Sequence, residues 1–203
     1  VGDVLGTDGT AMVALHSFRR SVQALKCASG ELEPLVSELV AAIKNTEPRI
    51  TPLIHLVEQF EAEMAGQYVG DLNTVKKRIV GVLDRKIEAL NAMADQVVAH
   101  GLECIKRYDV IIVYSTSAVI REVLVAANRR GKPFEVLILK QDFTKTRKLI
   151  WTAAGEAIDH QVIPEYNLSN FVTRANKFFL GAMSVTPDRK AVCPLGAAEV
   201  IGL

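Results

Sequence analysis

Residues 108–117 read YDVIIVYSTS, and this stretch decides the fold. Between Asp109 and Ser115 the run Val110-Ile111-Ile112-Val113-Tyr114 is apolar without a break and rich in β-branched residues. A strand with one wet face alternates apolar and polar positions. A continuous apolar run predicts a strand covered on both faces, the habit of parallel sheets. The polar step Ser115-Thr116-Ser117 leads into a helical pattern from Ser117 to Arg130, which Gly131-Lys132-Pro133 ends. A second apolar run, FEVLIL at 134–139, reads as another strand. Beyond it, Thr144 to Ala157 predicts a helix and Gln161 to Pro164 a short strand. Asn167 to Ala175 predicts a helical turn or two, and Phe178 to Met183 a further strand. This β-α-β-α-β order implies right-handed crossovers and a parallel, Rossmann-like sheet.

Upstream the period changes from strand to helix. Met12, Val13, Leu15, Phe18, Val22 and Leu25 recur at helical spacing from Thr10 until Ser29-Gly30. Glu31 to Lys44 predicts a helix with Pro34 in its first turn, where a missing N–H does no harm. Pro52 opens another that runs to Met64, closed by Gly66 and Gly70. Asp71 is a good N-cap for the longest pattern, Leu72 through Val97 in steps of three and four. Continued to Ile105 it is about 50 Å long at 1.5 Å per residue. It reads as a spine, with Gly81 and Gly101 as points where it could bend. The fold class is therefore α/β: a helical N-terminal domain over residues 1–106, holding the 71–105 spine, then a Rossmann-like domain over 107–203. The final pattern (Leu195, Ala198, Val200, Ile201) looks like a helix cut short, so either a longer chain or a strand from elsewhere is expected to supply the sheet's last elements.

Composition narrows the function. Apolar residues make up 49% of the chain, enough for a core without staples. The 24 basic and 23 acidic residues leave a net charge of +1, so no bulk field favours nucleic acid or an anionic membrane. No apolar run reaches the ~18 residues needed to span a bilayer. Cys27, Cys104 and Cys193 are odd in number and widely spaced, which fits reduced thiols rather than a disulfide or zinc framework. With no signal-like N-terminus, a cytoplasmic location is expected.

Ligands of open parallel sheets sit beyond the carboxyl ends of the strands. At the first such end, Ser115, Thr116 and Ser117 offer hydroxyls and free N–H groups to a phosphate or carboxylate. The plainer reading is that Thr116 or Ser117 is only the helix N-cap. No glycine-rich fingerprint supports a dinucleotide or P-loop site. Lys140-Gln141-Asp142, Lys145, Arg147 and Lys148 face either that crevice or solvent. GAMSVTPDRKAVCPLG at 181–196 holds a turn at Thr186-Pro187-Asp188, a thiol at Cys193, reactive or packed, and Gly196 as a second anion cradle. His16, His55, His100 and His160 have no metal spacing and read as helix-surface or interhelix residues. Neither a metal nor a cofactor is expected.

Three segments in order carry a resemblance: EPRITPLIHLVEQF at 47–60, AHGLECIKRYDVIIVYSTSAVIREVLVAANRRGKPFEVLIL at 99–139, and ANKFFLGAMSVTPDRKAVCPLGAAEVIGL at 175–203. Together they resemble the initiation factor 2B alpha, beta and delta subunits. That family also contains methylthioribose-1-phosphate isomerase and ribose-1,5-bisphosphate isomerase. The resemblance implies a sugar-phosphate crevice in which a cysteine, in a Thr-His-Cys-Asn context, works with an aspartate following Gly-Ala. Here the cysteine position falls on Ser115, the histidine on Tyr114, and the aspartate on Met183. The substrate-holding Asn-Lys falls on Cys193-Pro194. The arginine before proline falls on Glu47, with Arg49 two residues on. Isomerisation needs one group to move a proton at carbon and another to manage the oxygens. No catalytic residue is therefore expected, and Ser115, Thr116, Ser117, Arg49, Cys193 and Gly196 remain as candidate ligand contacts. The expectation is a non-catalytic regulatory or assembly protein, a homodimer or hetero-oligomer through its α/β domain, with a sugar phosphate or nucleotide as possible ligand. The alternative is an isomerase with a relocated site, using Ser115 or Cys193 with Asp188 or Lys190.

Overall fold

The structure, a computed structural model, describes residues 2–47, 49–114, 117–140, 143–186, 188–194 and 196–202; it gives no account of the side chains of 2–8, 143–145 and 199. Contacts divide the chain into two compact units, Val1–Met93 and Ala94–Leu203.

The first unit is helical. Helix α1 (Gly2–Ala24) buries Ala11, Leu15, Phe18 and Val22, one stripe at steps of four, three and four. Helix α2 (Leu32–Lys44) buries Leu32, Val36 and Val40. Helix α3 (Thr51–Met64), with Pro52 in its first turn, buries Leu53, Val57, Phe60 and Met64. Phe18 and Phe60 meet edge to face with centroids 5.1 Å apart. Helix α4 (Leu72–Cys104) is the longest of the described helices. Asp71 starts it by accepting from the Thr74 backbone N–H at 3.0 Å and the Thr74 hydroxyl at 2.6 Å. Those bonds hold the Asp71 carboxyl below its usual range. Val75, Ile79, Val82, Leu83 and Ile87 bury into the core of this unit.

The last turns of α4 belong to the second unit, where Leu102 is buried and Val98 half-buried. Gly101 is no bend. A Cβ there would lie 2.6 Å from a Val123 methyl, so the glycine lets two helices approach closely. Strand β1 (Asp109–Tyr114), helix α5 (Ala118–Arg129), strand β2 (Phe134–Lys140), helix α6 (Phe143–Gly155) and strand β3 (Asp159–Pro164) follow as two β-α-β crossover units. A 3-10 turn (Glu165–Asn167) and a short helix α7 (Ser169–Val172) lead to strand β4 (Lys177–Leu180). Strands β5 (Ser184–Val185) and β6 (Ala191–Val192) form a small antiparallel ribbon, and α8 (Ala197–Ile201) follows.

The main sheet has the order β3-β2-β1-β4, and every pairing in it is parallel. The two faces of β1 feed two cores. Ile111 and Val113 pack with Val123, Leu124 and Ala127 of α5 and with Leu149 and Ala153 of α6. Ile112 and Tyr114 pack with Leu168 and Ala197 on the other side. Both faces of the strand are covered, which is why its sequence does not alternate.

Several boundaries differ from the sequence reading. Strand β3 starts at Asp159, so His160 is a strand residue and not a helix-surface one; its ring nitrogen sits 2.8 Å from the Ile158 carbonyl. The strand expected over 178–183 stops at Leu180, and Ser184-Val185 turns away into the ribbon. The helical turn or two expected over 167–175 is α7, which ends at Val172 and is preceded by the 3-10 turn at Glu165–Asn167. Helix α1 starts at Gly2, well before Thr10, and ends at Ala24.

Candidate functional site

Parallel strands β1, β2 and β3 are laid down in one direction across the sheet, and β4 then returns to the free side of β1. The switch point, where open α/β sheets take ligands, is therefore between the carboxyl ends of β1 and β4. Tyr114 ends β1 there, and Gly181, just past β4, donates its N–H to the Tyr114 carbonyl at 3.3 Å. Ser115 and Thr116 lie outside the described residues.

The Tyr114 side chain is packed inward at this end of the sheet. Tyr114 is 3% exposed and belongs to an apolar cluster with Ile112, Leu137, Leu139, Ile163, Leu168 and Ala197. Its hydroxyl reaches the start of α8: a Cβ added at Gly196 would stand 2.7 Å from the phenolic oxygen. Gly196 also has φ +85°, a left-handed conformation that glycine adopts at little cost. Backbone shape and the tyrosine together account for a glycine at this position.

The remaining candidates are placed as follows. Ser117 is the N-cap of α5, its hydroxyl accepting from the Ile120 N–H at 3.1 Å, so the capping role holds for it. Cys193 is half-buried and packs on the Tyr114 cluster, its Sγ 3.9 Å from the Ala191 carbonyl. Met183 is 50% exposed, and its N–H donates to Val192 across the ribbon at 2.7 Å. Asp188 and Lys190 pair with each other at 2.6 Å at the exposed ribbon tip. Lys190, then Thr186, holds the Asp188 carboxyl below the ordinary range. Arg49 is an exposed residue of the helical unit. Thus the sheet's end gathers Tyr114, Ser117, Gly181, Met183, Cys193 and Gly196.

The basic residues after β2 divide. Lys140 is exposed, and Arg147 lies over the Trp151 ring at 4.7 Å. Gln141 and Asp142 are outside the described residues, as is the side chain of Lys145. Sequence reasoning missed the burial of Tyr114 against Gly196. The available signal was its place as the last apolar residue of a strand buried on both faces. Among the described residues no helix is long and apolar enough to cross a membrane.

The family model described as "Initiation factor 2 subunit family" matches residues 3–200. The "Putative translation initiation factor eIF-2B subunit 2-like" of Pyrococcus furiosus is 29% identical over 167 residues, 81% of this chain. The chain spans 56% of that relative's length. The fold superposes on the tetrameric eIF2B-beta2-delta2 complex from Chaetomium thermophilum with TM-score 0.79 at 18% identity, covering 96% of this chain and 65% of that one. It also superposes on 5-methylthioribose 1-phosphate isomerase from Pyrococcus horikoshii with TM-score 0.75 at 13% identity, covering 93% and 56%. Identities this low carry the fold alone.

Proposed function

The chain belongs to the initiation factor 2 subunit family, and from that premise we propose that it works as a non-catalytic assembly or regulatory subunit, not as a sugar-phosphate isomerase. The observation that carries this reading is Tyr114. It stands where the resemblance to the isomerases puts a histidine, and it is buried against Gly196 at the switch point. A phenol packed in an apolar cluster leaves little room for a sugar at that depth. Met183, at the position of the expected aspartate, has no proton to exchange. A relocated isomerase would draw on Ser115 or Cys193 with Asp188 or Lys190. Asp188 and Lys190 already neutralise each other at an exposed tip, and Cys193 is packed.

In this reading the chain works in the cytoplasm as a homodimer or hetero-oligomer through its α/β unit. The tetrameric state of the eIF2B-beta2-delta2 relative supports it. A phosphorylated metabolite, sugar phosphate or nucleotide, would be held at the α5 N-terminus beside Ser117, where backbone N–H groups favour an anion. Light scattering after size exclusion tests the assembly: a dimer or larger species is expected at tens of micromolar, and a monomer alone would count against it. A thermal-shift series with sugar phosphates and nucleotides tests the ligand. A compound at 100 times its dissociation constant adds about 2.7 kcal/mol to the native state.

A further inference from the structure

On the outer side of α5 lies a shallow groove of about 470 Å³, wholly within the second unit. Its floor is the stripe Ala118, Arg121, Glu122, Val125, Ala126 and Arg129, with Val98 of α4 and Thr152 of α6 at its sides. These α5 positions are spaced three and four apart, so they form one continuous face. The opposite face (Ile120, Val123, Leu124, Ala127) is buried in the core, so the outer stripe, which mixes small apolar with charged side chains, is the face α5 leaves uncovered. Nearby Val97 and Trp151 are 55% and 64% exposed.

Arg121 is the unusual member. It is half-buried, and among the described residues its guanidinium has no hydrogen-bond acceptor; the one charge acting on it is the adjacent Glu122. Burial pulls the guanidinium below its ordinary value. Arg129, about two turns further along the helix, is by contrast satisfied by Glu156 at 2.6 Å. A desolvated arginine without an acceptor calls for a carboxylate from outside.

The order of residues says which carboxylate. Ala118, Arg121, Glu122 and Val125 are symmetric about the Arg121–Glu122 step: apolar, plus, minus, apolar. An antiparallel copy of the same helix, turned about a two-fold axis through that step, sets each Arg121 opposite a Glu122 and each Ala118 opposite a Val125. A two-fold contact of this kind requires a surface complementary to itself. We propose that α5 is the self-association helix of this chain, packing antiparallel on α5 of a second copy with two reciprocal Arg121–Glu122 pairs. The proposal deepens the assembly reading above and rests on it.

The test uses the full chain and charge reversal. Wild type is expected as a dimer by light scattering and sedimentation. Arg121→Glu places two carboxylates together in each pair, and Glu122→Arg two guanidiniums, so each variant alone should dimerise at least about tenfold more weakly. Mixing the two should restore dimers to wild-type affinity, because each mixed pair again joins opposite charges. The double variant R121E/E122R should dimerise by itself for the same reason. A misfolded variant could not be rescued by mixing, so restoration also controls for folding. A dimeric wild type whose variants stay dimeric, or whose mixture stays dissociated, overturns the α5 assignment and leaves the assembly reading standing. A monomeric wild type overturns both self-association and this surface.

Discussion

The Tyr114 hydroxyl oxygen lies 2.7 Å from where a Cβ on Gly196 would stand, closer than a real Cβ contact permits. The end of β1 and the start of α8 are thus fitted to each other at the point where a parallel sheet of this order takes its ligand. Gly196→Ala should destabilise the fold by about 1–3 kcal/mol, through the contact and through its positive φ. Tyr114→Phe removes the close oxygen, and the ring carbon behind it is 3.8 Å away. In a double-mutant cycle by urea unfolding, the alanine should therefore cost less in the phenylalanine background. Equal costs in both backgrounds would contradict the contact.

Gly101 of α4 and Val123 of α5 are related in the same way inside the second unit, at 2.6 Å for an added Cβ. Gly101→Ala should lower stability by about 1–3 kcal/mol despite the better helix propensity of alanine. Val123→Ala should recover part of that loss in the double variant. A stabilised G101A would mean that the helices do not meet there.

Lys132 closes the carboxyl end of α4. Its ammonium donates to the Leu102 carbonyl at 2.7 Å and the Ile105 carbonyl at 2.6 Å. A cation at a helix C-terminus satisfies orphan carbonyls and complements the dipole. Lys132→Met, of similar length without the charge, should cost about 1–2 kcal/mol in thermal or urea unfolding. No change would show that water serves those carbonyls equally well.

Acid should weaken the helical unit through Glu63. Its partner Lys86, at 2.6 Å, has a side chain only 7% exposed. The hydrogen bond from Lys86 is the main cause holding the Glu63 carboxyl below its ordinary value of 4.5, and Arg85 adds to it. A carboxyl lowered in the folded state stabilises above its unfolded value, and that contribution is lost as pH falls through the folded one. Stability should therefore be flat in this respect above about pH 5 and decline on acidification below 4.5. Glu63 is 46% exposed, so solvent screens the pair and the effect is modest. Glu63→Gln should cost about 1–2 kcal/mol at neutral pH, by leaving Lys86 unpaired, and should flatten the acid slope. An unchanged slope would assign acid unfolding to other carboxyls.

The sequence was most legible where one periodicity rules over a long stretch. α4 falls within a residue of its expected 71–105 limits because its stripe and the Asp71 cap agree. β1 and β2 were legible because burial on both faces leaves a continuous apolar signature. The β5–β6 ribbon escaped, since two-residue strands carry no period, and its hydrogen bonds (Met183 to Val192, Thr186 to Lys190) are fixed by local turn geometry. The Tyr114–Gly196 fit escaped for another reason. It joins residues far apart in the chain, and neither a tyrosine ending a strand nor a lone glycine before a short helix names its partner. At the switch point, the capping role of Ser117 was among the readings available from sequence, whereas the packing of Tyr114 on Gly196 was not.

The proposed non-catalytic role is tested most directly by incubation with methylthioribose 1-phosphate and with ribose 1,5-bisphosphate, with ketose product followed against a protein-free control. No ketose above the control is expected from either substrate. Ketose that forms with the wild type and disappears in Ser115→Ala or Cys193→Ala would contradict the account.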